Sequence, residues 1–152
     1  MKKIIVAIAL VASVGALQNC AETQKTLNQM TTQNDSSLSL TGTKWKLVEL
    51  AGKKVTLPEG SSAEITLQNG QVTGSNGCNR ISGAYSVNEK TSKITFSQVA
   101  STKMACMDQN AILVESGMNE LFTKVDSYLL TNNQLQLSKG RVLTLAKFEK
   151  VQ

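Results

Sequence analysis

The 152-residue sequence contains no histidine, one proline, one tryptophan, two arginines and three cysteines. Each scarcity removes a class of chemistry. Without imidazole there is no Ser-His or Cys-His nucleophile pair, no histidine metal ligand and no histidine pH switch. Three thiols are one short of a four-cysteine zinc site. The 11 Asp and Glu residues are scattered, with no Asp-rich loop of the kind that holds calcium. No metal and no other cofactor is therefore expected. Nucleic-acid readers present a basic face with arginines or stacking aromatics. Here 14 Lys and two Arg accompany six aromatic residues, and the densest basic pairs are only Lys44-x-Lys46 and Lys53-Lys54. These lysines read as a solvated surface, and no nucleic-acid partner is expected. The nearest thing to a catalytic pair is Ser101-x-Lys103, which on a strand merely places two side chains on one face. An enzyme is the least expected class.

What is present begins at the N-terminus. Met1-Lys2-Lys3 precedes an apolar stretch from Ile4 to Leu17, broken only by Ser13 and Gly15. At about 1.5 Å per residue a helix of that length covers about 21 Å, short of the roughly 30 Å hydrocarbon core of a bilayer. The pattern therefore reads as an export signal over residues 1–19 rather than a spanning helix. It ends in Leu17-Gln18-Asn19-Cys20, which resembles a lipobox, with Leu three residues before the cysteine that would carry lipid. Gln18 and Asn19 are larger than the small residues usual between them. The alternative is cleavage after Val14-Gly15-Ala16, leaving Cys20 as a free thiol. Lipidation of Cys20 gives a membrane-anchored envelope protein, expected on the outer membrane and facing the periplasm.

Between Ala21 and Leu40, 12 of 20 residues are Ser, Thr, Asn or Gln, with isolated apolar residues and no sustained period. Such a stretch buries too little apolar surface to offset chain ordering. Residues 20–40 are read as a lipidated cysteine with a polar tether, a short helix near 22–31 being the alternative.

Residues 41–150 read as one mainly β domain with about eight strands. Asn69-Gly70 lies between Glu64–Gln68 and Gln71–Ser75, and the dipeptide suits the positive φ angles of a two-residue type I′ hairpin. That register aligns Leu67 with Val72 and Ile65 with Gly74. Asn132-Asn133 similarly aligns Leu130 with Leu135 and Tyr128 with Leu137, and Lys139-Gly140 turns into 141–148. Further strands are expected at 44–50, 83–87 and 93–97. After Asp108, a suitable N-cap, residues 109–125 place Ala111, Val114, Met118, Leu121, Phe122 and Val125 at helical spacing. Glu120 and Lys124 form an i, i+4 pair. The architecture expected is a small antiparallel β-barrel-like sheet with one helix packed against it or closing one end.

If Cys20 carries lipid, Cys78 and Cys106 remain as a pair at element boundaries. A structural disulfide between them is expected; the redox-active alternative lacks a Cys-x-x-Cys.

Three segments then carry a family resemblance: Gly42-Thr-Lys-Trp45-Lys-Leu-Val-Glu-Leu50, Gly74-Ser-Asn76-Gly77-Cys78-Asn79-Arg80-Ile-Ser-Gly83-Ala-Tyr85, and Ser101-Thr102-Lys-Met104-Ala-Cys106. Their order and spacing resemble the META domain, the module of heat-inducible HslJ-like bacterial lipoproteins. The resemblance implies a small antiparallel barrel-like fold with one helix, no established catalytic activity and an association with heat and antibiotic stress. On the recognised positions, Gly74, Gly77 and Gly83 are expected to permit tight backbone geometry. Asn76 and Asn79 suit a turn whose side chains bond local backbone. Trp45 is expected in the core with its N–H bonded, and Thr102 and Met104 at core or strand-end positions. Arg80 is expected in a structural salt bridge, with anion binding as the alternative. The function expected is a non-catalytic, monomeric envelope lipoprotein that supports stress tolerance, with an unnamed envelope partner. The alternatives are a carrier of a small hydrophobic ligand and an inhibitor of an enzyme such as lysozyme, the latter on a faint likeness of Ser82-Gly83-Ala84-Tyr85 to an inhibitory loop.

Overall fold

A computed structural model describes residues 39–151. Cys20, the export segment and most of the tether lie outside the described residues. The strands are β1 (Lys44–Leu50), β2 (Lys53–Lys54), β3 (Ala63–Gln68), β4 (Gln71–Asn76), β5 (Arg80–Asn88), β6 (Lys93–Ser101), β7 (Ser127–Thr131), β8 (Gln134–Lys139) and β9 (Leu143–Lys150). The helix α1 (Gln109–Lys124) lies between β6 and β7, and a short 3-10 turn (Glu89–Thr91) joins β5 to β6.

Every pairing is antiparallel, and eight strands close a ring in the order β1-β3-β4-β5-β6-β7-β8-β9, with β9 returning to β1. The two-residue β2 is an outrigger on the end of β1. The hairpin registers follow from turn chemistry. Asn69 and Gly70 both take positive φ, 52° and 76°, and the ladder pairs Leu67 with Val72 and Ile65 with Gly74. The second hairpin pairs Leu130 with Leu135 and Tyr128 with Leu137. The fold is thus the mainly β barrel with one described helix that the strand pattern predicts.

Alternation along the strands decides what fills the interior. Trp45, Ile65, Leu67, Val72, Ile94, Leu135, Leu137 and Phe148 all point inward and are fully buried. The indole Nε1 of Trp45 donates to the carbonyl of Leu40 at 3.2 Å, which satisfies the one polar atom that this large side chain takes inside. With side chains of this size meeting in the middle, the hydrophobic-ligand carrier gains no support from the barrel interior.

Helix α1 starts where Asp108 accepts from the Ala111 N–H at 2.9 Å. Glu120 and Lys124 pair on its outer side. Its buried residues are Ala111, Val114, Met118, Leu121 and Phe122, and it packs against β1, β4 and β6. These three strands run in the same direction, and the contacts fall at or towards their C-terminal ends. A Cβ on Gly117 would lie 2.6 Å from Leu50 Cδ2, and one on Gly77 would lie 3.3 Å from Val114 Cγ1. The helix therefore covers one end of the barrel, and Gly117 costs α1 some helical propensity so that Leu50 can sit against it. Strands β6 and β7 share only the pair Lys93–Ser127. Beyond it Phe122 takes the place of a strand neighbour, its ring edge-on to Phe96 at 5.0 Å.

The junction between α1 and β7 is held by Asp126. Its Oδ1 accepts from the Gly140 N–H at 2.7 Å and from Ser127 Oγ at 3.1 Å, and Oδ2 pairs with Lys139 Nζ at 3.2 Å. The Gly140 hydrogen bond holds this carboxyl below its ordinary range, against some desolvation and with help from Lys139 and Ser127. A carboxyl depressed in the folded state stabilises the fold above its unfolded-state value, and that contribution is lost as pH falls through the folded-state value. The Asp126→Asn variant should therefore show a flatter loss of stability with acid than the wild type below about pH 4, read from urea midpoints across pH.

Two sites differ from the sequence-based expectation. Met104 is not a core or strand-end residue: it is 63% exposed on the segment after β6. Ser82 to Tyr85 do not form a loop; they lie in the middle of β5, where alternation turns Tyr85 inward. That placement removes the geometric basis of the lysozyme-inhibitor comparison.

Candidate functional site

The recognised residues of the β4–β5 turn, the segment after β6 and the helix meet at the covered end of the barrel. Strand β4 ends at Asn76 and β5 begins at Arg80, so Gly77-Cys78-Asn79 must reverse the chain. Asn76 does this with backbone and side chain together: its N–H donates to the Asn79 carbonyl at 3.0 Å, and its Oδ1 accepts from the Asn79 N–H at 2.8 Å. Gly77 takes φ +100°, open to glycine and strained for other residues. The Asn76 Nδ2 is buried and has no hydrogen-bond partner among the described residues.

Asn79 is 1% exposed, and its side chain ties three segments together. Its Oδ1 accepts from Thr102 Oγ1 at 2.8 Å and from the Met104 N–H at 2.7 Å. Its Nδ2 donates to Glu115 Oε1 at 2.9 Å and lies 3.7 Å from Cys106 Sγ. The role of Met104 is thus played by its backbone, which explains an exposed side chain at a motif position. Thr102 joins the same network and also braces Arg80, accepting from its N–H at 3.1 Å while the Thr102 N–H donates to the Arg80 carbonyl at 3.0 Å.

A disulfide joins Cys78 to Cys106, with Cα atoms 6.0 Å apart and 28 residues of sequence separation. In the chain-entropy account, closing such a loop stabilises the fold by about 3.5 kcal/mol. Replacing both Cys78 and Cys106 with Ser should lower stability by about that amount, measured as the shift in urea-unfolding free energy.

Glu115 was not singled out in the sequence. The available signal is its position on the apolar stripe: it follows Ala111 by four residues and precedes Met118 by three, so a carboxylate faces the barrel from within the docking face. There Oε1 is held by Asn79, and Oε2 lies 3.1 Å from Cys106 Sγ.

Beside this knot, an open trough of about 740 Å³ runs along the outer face of β3 to β6. It is lined by Thr73, Ser75, Ser82 and Thr102, with Glu64 and Arg80 among its walls. Two glycines on these strands sit where the neighbouring strand leaves no room for a side chain. A Cβ on Gly74 would lie 1.9 Å from the Glu64 carbonyl oxygen, and one on Gly83 would lie 2.8 Å from Val99 Cα. Glu64 is paired with Lys44 at 2.9 Å. Arg80 is exposed and makes no ion pair among the described residues, contrary to the structural salt bridge expected of it. The physical reason is placement: the carboxylate on its side of the sheet, Glu64, is two strands away and occupied by a lysine. The trough therefore presents hydroxyls around one uncompensated guanidinium, a combination suited to hydrogen-bonding an anionic or hydroxyl-rich group.

The META domain profile matches residues 38–152, which covers the barrel, the disulfide knot and the helix together. The chain belongs to the META domain family. Among solved structures the META chain is similar to an NMR structure of a protein from Burkholderia xenovorans, with 23% identity, a TM-score of 0.60 and coverage of 97% of this chain and 99% of that one. It is also similar to a second protein solved by NMR, at 25% identity and TM-score 0.57, over 70% of this chain and 87% of that one. A third likeness is to the crystal structure of a DUF4847 family protein from Bacteroides vulgatus, at 18% identity and TM-score 0.50, over 72% of this chain and 93% of that one. The first and third likenesses concern the fold. No curated protein matches the chain.

Proposed function

We propose that this META protein is a non-catalytic envelope lipoprotein, anchored through Cys20 on the periplasmic face of the outer membrane, that supports tolerance of heat and antibiotics by binding another envelope component. The reading is carried by one juxtaposition: a META domain over residues 38–152 follows a lipobox-like Leu17-Gln18-Asn19-Cys20 at the end of a short apolar stretch. A monomeric domain on a polar tether fits such a role, since it can sample partners at the membrane surface without a spanning segment of its own.

The trough with Arg80 is the face assigned to the partner. Deleting the gene should sensitise cells to heat and to membrane-excluded antibiotics, and the tethered domain should co-purify with an envelope component. The Arg80→Ala variant should stay within about 0.5 kcal/mol of wild-type stability, as expected of an exposed unpaired side chain, and lose that capture. Unchanged tolerance in the deletion strain, with nothing captured by the wild-type domain, contradicts the proposal.

A further inference from the structure

Cys78, Cys106 and Glu115 place one sulfur, one sulfur and one carboxylate oxygen within 4.8 Å of one another. Each residue is half-buried, open enough for a small reductant or a hydrated ion to reach. In the disulfide form this arrangement contains an electrostatic mismatch. A disulfide sulfur carries no proton, so Glu115 Oε2, at 3.1 Å from Cys106 Sγ, faces an acceptor rather than a donor. Its other oxygen is already held by Asn79 Nδ2 at 2.9 Å, so the carboxylate is oriented toward the sulfur pair rather than resting there by chance.

We propose that the reduced protein binds a thiophilic divalent cation, zinc in character, through the Cys78 and Cys106 thiolates and the Glu115 carboxylate. Reduction by a dithiol transfers two electrons and two protons: the protein S–S bond breaks to give two thiols, and the dithiol closes to its own disulfide. The cation then displaces the two thiol protons, forming two metal–sulfur bonds and one metal–oxygen bond, with water left to complete a four-coordinate shell. Thiolates with one carboxylate suit zinc over magnesium or calcium. Tetrahedral bonds of about 2.3 Å to sulfur and about 2.0 Å to oxygen put such ligand atoms about 3.5 to 3.8 Å apart, so modest side-chain rotations open the existing cluster to fit. The ligands do not depend on the S–S bond for their placement. Asn79 holds the β4–β5 turn, the 102–104 segment and the helix together through bonds that survive reduction. The disulfide then acts as a lock on the site, closed when oxidised and open to metal when reduced.

The experiment uses the full chain, reduced with a phosphine, desalted without oxygen and titrated with Co²⁺ as a spectroscopic substitute for Zn²⁺, beside the oxidised protein. The reduced wild type should bind one Co²⁺ with a thiolate-to-cobalt charge-transfer band and tetrahedral visible absorption, and release about two protons on Zn²⁺ binding. The oxidised protein should show neither. Glu115→Gln keeps an oxygen for Asn79 but removes the anionic ligand. It should weaken binding at least as much as loss of an outer-shell partner does, about tenfold or more, whereas Glu120→Gln should leave binding unchanged. Absence of the band in the reduced wild type overturns the proposal. Equal affinity in wild type and Glu115→Gln also overturns it, because that is the behaviour of two thiolates in an unfolded or unorganised chain. Circular dichroism on the same samples separates those two failures.

Discussion

The Asn79→Ala variant is expected to lose about 4 kcal/mol of stability, from one exchange in the β4–β5 turn. The side chain removed is fully enclosed and accepts from Thr102 Oγ1 and the Met104 N–H while donating to Glu115. Neutral hydrogen bonds contribute about 1 kcal/mol each, and one to a charged partner about 2 kcal/mol. The larger part of the loss comes from what is left behind, since a partly buried N–H and a partly buried carboxylate lose their partners. Asn79→Asp is an informative comparison. It keeps the Oδ1 acceptor for Thr102 and Met104 but sets a second carboxylate against Glu115, so it should recover part of the loss at low pH and little at neutral pH. Urea unfolding at two pH values measures both effects. A loss under about 1 kcal/mol for the alanine variant would mean that the disulfide alone holds the three segments.

The second large effect is expected inside the barrel. Trp45→Ala should cost about 4 kcal/mol, since truncating a fully buried tryptophan leaves a cavity that the surrounding sheet can only partly close. Trp45→Phe separates volume from polarity. It retains much of the apolar contact but removes the donor to the Leu40 carbonyl, and should cost about 1 to 2 kcal/mol. Because this is the sole tryptophan, unfolding of both variants is followed by circular dichroism rather than fluorescence. If phenylalanine costs as much as alanine, the hydrogen bond to Leu40 outweighs packing at this position.

The parts of this molecule that were legible in its sequence are those set by local rules. Asn69-Gly70 accommodates positive φ at both turn positions, so it specified both a hairpin and its register, and every side chain on β3 and β4 followed. The helical stripe and the Asp108 cap likewise marked α1 almost to the residue. What local pattern could not show was closure. The pairing of Trp45 with Lys150 and of Leu47 with Phe148 joins strands about a hundred residues apart, and nothing in either strand names the other. The same holds for the single-pair seam between β6 and β7, where a phenylalanine from the helix takes over from a strand.

At the candidate site the motif identified positions but not atoms. Met104 looked like a core side chain, yet its contribution is a backbone N–H, and residue identity does not reveal which of its groups is used. Arg80 looked like half of a salt bridge, but its neighbour across the sheet was already paired with Lys44. Glu115 is inconspicuous in the sequence because a carboxylate inside an apolar stripe reads as an ordinary solvated residue until the fold sets it beside Asn79 and Cys106.

The central functional proposal is that this META domain works from a membrane anchor, and the N-terminus of the mature chain tests it most directly. Mass spectrometry of the mature chain is predicted to show a first residue Cys20 carrying a thioether-linked diacylglycerol, with residues 1–19 removed. A mature peptide beginning at Leu17 with an unmodified Cys20 contradicts the anchor, and with it the proposed place of the protein in the envelope.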